Sequence, residues 1–65
     1  MRVFIADIGR HKPNDTLFGN SFEFSAHTPM DAYLTALEIA GDGLQLIQLY
    51  ERIGDNVQPR GAFDD

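Results

Sequence analysis

The sequence predicts a small α+β domain of order β-β-α-β: a three-stranded antiparallel sheet with one helix packed on one face. Three observations lead there. Two segments near the start alternate apolar residues at strand spacing, a strongly signposted helix follows, and a leucine-rich segment comes after a glycine stop. A chain of 65 residues holds one domain. That domain is expected over 1–54, with 55–65 as a flexible C-terminal tail.

Residues 2 to 8 place Phe4, Ala6 and Ile8 on one side of a strand and Val3 and Ile5 on the other. A strand apolar on both sides is expected at the centre of its sheet. Residues 9 to 20 hold Gly9, Pro13, Asn14, Asp15, Gly19 and Asn20, which is loop chemistry, with Leu17 and Phe18 expected to pack down or to extend the next strand. Residues 21 to 27 alternate cleanly, with Phe22, Phe24 and Ala26 opposite Ser21, Glu23, Ser25 and His27. The two strands then form a hairpin with a long loop.

Thr28-Pro29-Met30-Asp31 marks the start of a helix. The Thr28 hydroxyl can cap it, Pro29 suits the first helical position, and Asp31 sits well at the positive end of the helix dipole. The helix is expected to run to about Ala40, with Met30, Tyr33, Leu34, Leu37 and Ala40 as its inward stripe. Gly41-Asp42-Gly43 stops it. Residues 44 to 53 fit either a helix, through Leu46, Leu49, Tyr50 and Ile53, or a strand. The strand reading is preferred because two strands alone make a marginal sheet. The crossover rule then sets the third strand antiparallel beside the first. Residues 54 to 65, rich in glycine, proline and aspartate, read as a frayed tail.

Composition narrows the function. There is no cysteine, so no disulfide or thiolate zinc site is expected. Ten acidic residues against five basic give a net charge of −5, which repels nucleic acid and anionic membranes and favours a basic groove on another protein. No apolar run approaches a signal peptide or a membrane span, so the expected location is the host cell cytosol.

Catalytic groups are few. His11 lies in the basic run Arg10-His11-Lys12, and His27 lies at a strand end beside the cap. Asp31 and Glu38 stand about two helical turns, roughly 10 Å, apart. Gly41-Asp42-Gly43 lacks the Gly-Lys-Ser/Thr of a phosphate loop and the spaced acids of a calcium loop. The expectation is a binding protein without cofactor or metal, not an enzyme.

The remaining asset is surface. One helix covers one face of a sheet, so Val3 and Ile5 are left on a second apolar face. Ile47 and Leu49 are expected to lie on the face opposite Leu44 and Leu46. Such a face suits a partner protein or a second copy of the chain, unless the loop and tail fold over it. The expected partner-binding residues are Val3, Ile5, Arg10, Lys12, Phe18, Glu23, Tyr50 and Arg52. Arg10, Lys12 and Phe18 are also a weak footprint for nucleic acid.

From Ser21 to Ile53 the order of signals resembles small phage-encoded β-β-α-β inhibitors of bacterial RNA polymerase, of the podovirus early-protein type. The likeness runs through Phe22, Glu23, Ala26, Thr28, Asp31, Ala32, Leu37 and Ala40, then Leu44 and Leu46, about half the chain. Where that family carries binding arginines in its last strand, this chain has Gln48 and Tyr50, with Arg52 further on. The resemblance implies a phage or mobile-element protein that binds and occludes a bacterial host protein, RNA polymerase or a CRISPR-type defence nuclease. The alternatives are a homodimer formed through the open face and a weak nucleic-acid binder using the 9–20 loop.

Overall fold

The computed structural model describes residues 1–11 and 17–64, and for residues 11, 17 and 18 the backbone alone. Its elements are β1 (Arg2–His11), β2 (Leu17–Ala26), α1 (Pro29–Ala40), β3 (Gln45–Ile53) and β4 (Asn56–Arg60). The sheet order is β2-β1-β3-β4, every neighbouring pair antiparallel. The fold is thus α+β with one helix and an antiparallel sheet, as expected, and β3 lies beside β1. The sheet has four strands, however, not three.

The fourth strand comes from the stretch read as a tail. Ile53 pairs with Asn56 across Gly54-Asp55, and Gly54 has φ 61°. A positive φ at the first residue of a two-residue loop belongs to the primed turns, whose twist suits antiparallel strands. Pro59, read as a breaker, pairs with Tyr50 on an edge strand, where a missing N–H can face solvent at no cost.

The hairpin also differs from expectation. β1 and β2 pair without a slip from Arg2↔Ala26 to His11↔Leu17, so strand runs through much of the stretch read as loop. Gly9 faces Gly19 in that ladder. A Cβ built on Gly19 would run into the Ile8 carbonyl, so the two backbones approach too closely for any other residue.

Thr28 caps α1 as expected: it is extended, and its Oγ1 accepts from the Asp31 N–H at 3.1 Å. Gly41, with φ 67°, ends the helix and donates its N–H to the Leu37 carbonyl at 3.1 Å. The inward stripe matches the expected one only at Ala40 and Tyr33. Pro29, Ala32, Ala36 and Ala40 are buried, with Tyr33 packed beside them, whereas Leu34 and Leu37 are 51% and 40% exposed. The inner face of the sheet already carries Phe4, Ile8, Phe24 and Leu49. Alanines opposite those large side chains let the helix lie close, which close packing rewards. Ala36→Leu is therefore expected to lower stability by about 1–3 kcal/mol, read from its denaturation midpoint; an unchanged midpoint would place the alanines outside the contact.

β3 contains one irregularity. Asp7 and Ile8 are consecutive in β1, but their partners are Gln48 and Leu46, so Ile47 is a bulged extra residue. The bulge corrects the expected alternation: Leu46 and Leu49 both pack on the helix side.

The helix side also holds Glu51, 4% exposed. Arg2 grips it in a two-pronged contact, Nε to Oε2 and Nη2 to Oε1, each 2.7 Å. Arg60 Nε adds a bond to Oε1 at 3.0 Å. One carboxylate thereby fastens β1 and β4 to β3. The Arg2 hydrogen bonds hold its carboxyl at about 2, with Arg60 helping and burial opposing.

Candidate functional site

Because side chains alternate across a strand, the register settles which residues share the uncovered face. Phe4, Ala6 and Ile8 face the helix, so Val3, Ile5 and Asp7 face away from it. Ile5 stands between Glu23 on β2 and Tyr50 on β3, and Val3 stands between Ser25 and Arg52. Beyond β3, Pro59 extends the row from Tyr50, and Val57 extends it from Arg52. Five of the residues expected to bind a partner, Val3, Ile5, Glu23, Tyr50 and Arg52, therefore meet on one surface. Val3, Ile5, Tyr50, Val57 and Pro59 are its apolar part, and an exposed ion pair, Arg52 Nη2 to Glu23 Oε1 at 3.0 Å, crosses β1 between Val3 and Ile5. Among the described residues the helix is the one layer packed on the sheet, and it lies on the other side.

The remaining three residues do not join this surface. Arg10 follows the Phe4-Ala6-Ile8 parity, and its Nη2 donates to the Gly43 carbonyl at 3.0 Å, tying the end of β1 to the segment before β3. Lys12 lies outside the described residues, as does the side chain of Phe18, whose backbone pairs with Arg10. Of the expected Gly9–Asn20 contact loop, residues 9–11 and 17–20 are strand, and residues 12–16 lie outside the described residues.

All four arginines are engaged within the chain: Arg2 and Arg60 on Glu51, Arg52 on Glu23, and Arg10 on a backbone carbonyl. Two of these contacts, Arg52 with Glu23 and Arg10 with Gly43, lie at the exposed surface.

Sequence reasoning missed the polar end of the open face. Asp7 Oδ1 accepts from Ser21 Oγ at 2.5 Å, directly across the β1–β2 ladder. Beside it lies a notch of about 380 Å³ lined by Asp7, Ile8, Gly19, Asn20, Ser21 and Ile47. The available signal was Asp7 itself, an acid two residues beyond Ile5 in an otherwise apolar strand. Among the described residues no group of three or more histidine, cysteine or acidic side chains is placed to hold a metal ion. No described helix is long and apolar enough to cross a membrane.

Comparison of the chain with protein-family models, curated proteins and solved structures returns no match.

Proposed function

We propose that this chain is a protein-docking module that binds a partner through the uncovered face of its sheet. In this reading it is a phage or mobile-element protein that occludes a bacterial host protein, RNA polymerase or a CRISPR-type defence nuclease. The observation that carries the docking reading is the convergence of Val3, Ile5, Glu23, Tyr50 and Arg52 on one face. Aromatic and aliphatic side chains mixed with an arginine are found at protein interfaces. The host target is supported by the resemblance over Ser21–Ile53 and by the acidic surface, which suits a basic, nucleic-acid-facing groove.

The test is capture from bacterial lysate on the immobilised full chain, with Ile5→Lys and Tyr50→Ala as matched controls, followed by transcription assays with purified polymerase. A stoichiometric partner is expected with the native chain and is expected to fall at least tenfold with either variant, since a central anchor is worth about 2 kcal/mol or more. A partner retained equally by both variants would overturn the docking face. Sedimentation showing a dimer that both variants dissociate would assign the face to a second copy of the chain instead.

A further inference from the structure

The polar notch beside the docking face is built by three departures from regular strand. Gly9 and Gly19 face each other on the same side of the ladder as Asp7 and Ser21, so two side chains are missing from that row. The β3 bulge opposite Asp7 and Ile8 brings Ile47 to the rim. Asp7 stands at the junction of these features, half-buried, with one carboxylate oxygen on Ser21. Its β3 neighbour Gln48 gives its amide to the Leu49 carbonyl at 2.8 Å and not to Asp7. Among the described residues, Ser21 is the group that satisfies this carboxylate.

We propose that the notch is the anchor pocket of the docking face and takes a basic side chain, arginine or lysine, from the partner protein. The inference rests on the docking reading and specifies the partner's chemistry. Charge complementarity supports it: the chain carries −5, and the notch has a carboxylate in its lining and no basic residue. A volume near the lower end for ligand sites suits one long side chain rather than a free metabolite. The aliphatic stem of a lysine or arginine would lie on Ile47 while its head reaches Asp7, with the Ser21 hydroxyl oxygen as a further acceptor. A charged hydrogen bond in a partly enclosed notch is stronger than the same contact on open surface.

The probe is a capped Gly-Gly-Arg-Gly-Gly peptide titrated into the isotope-labelled full chain. The same peptide carrying neutral citrulline, which keeps the shape and loses the charge, is the control. Amide shifts are expected at Asp7, Gly19, Asn20, Ser21 and Ile47 with the arginine peptide alone, weakening as salt rises. Asp7→Asn is expected to cut the affinity roughly tenfold. Equal shifts with citrulline, or shifts away from the notch, would overturn the proposal, and the salt and citrulline comparisons need no variant to fold. Partner capture that depends on Ile5 and Tyr50 but ignores Asp7→Asn overturns the notch and leaves the docking reading intact. Arginine-specific shifts at the notch, with capture indifferent to Ile5→Lys, would show that the notch takes a basic side chain but overturn both the docking reading and the notch's role as its anchor.

Discussion

Replacing Glu51 by glutamine is expected to remove about 2–4 kcal/mol of stability at neutral pH, among the largest effects of any single substitution in this chain. Glutamine keeps the size of the side chain but not the charge. It turns an N–H₂ group toward Arg2 or Arg60, so at least one buried guanidinium contact is lost and a donor faces a donor. A domain of this length holds roughly 3–10 kcal/mol in total, so the loss is a large share of it. With a urea slope of about 1 kcal/mol/M, the midpoint should fall by roughly 2–4 M. A shift below half a molar would mean that Arg2 and Arg60 find other partners at no cost.

The same carboxylate makes an acid-side prediction. Its pKa lies at about 2 in the folded chain against an unfolded value of 4.5. A lowered folded pKa means that the unfolded chain takes up the proton first, so the stabilisation is complete above 4.5 and is lost as pH falls through about 2. The stability gap between native chain and Glu51→Gln should therefore be constant from pH 7 to 5 and close progressively between 4.5 and 2. Urea midpoints for both proteins at several pH values measure it. A gap that stays constant to pH 2 would assign the Glu51 effect to packing rather than to charge.

Glu51 also shows where sequence reasoning stops. β1 was legible because apolar residues on both alternating faces demand a central position, and the helix was legible because Thr28-Pro29 and Gly41 are local signals. β4 was hidden because its pairing depends on a long-range partner: Val57 is its one strongly apolar residue, and Pro59 and Gly54 taken alone argue for a break. The buried helix stripe was misread for a related reason. Leucines outrank alanines in any hydropathy pattern, but the space beneath the helix is set by Phe4, Ile8 and Phe24 on the sheet, which no helical period reports. The open face was partly legible, since a period of two assigns Val3, Ile5, Glu23, Tyr50 and Arg52 to one side once the register is known. Its notch was not, because a bulge at Ile47 and a Gly9–Gly19 pair are cross-strand facts. Nor was the engagement of Arg10 with Gly43, a contact spanning 33 positions.

Phe4→Ala is expected to cost about 3–5 kcal/mol and to leave the domain largely unfolded, whereas Ile5→Ala, one residue on, should cost only about 1 kcal/mol. Phe4 is fully buried among the helix alanines and stacks with Phe24 at 6.4 Å between ring centroids, and Arg2 lies over its ring at 5.6 Å. Its removal opens a cavity that the neighbouring β1–β2 and β1–β3 ladders prevent from collapsing. Ile5 is half-buried on the face without a helix, so truncation there loses contact with neighbouring side chains but leaves no sealed void. The two positions therefore separate stability from docking along a single strand. Thermal melts and partner capture on both variants form the test: Phe4→Ala should lose its cooperative melt and its binding together, and Ile5→Ala should keep the melt and lose binding. An Ile5→Ala chain that unfolds as readily as Phe4→Ala would mean that the second face is itself covered core, and Ile5 would then no longer be a docking residue.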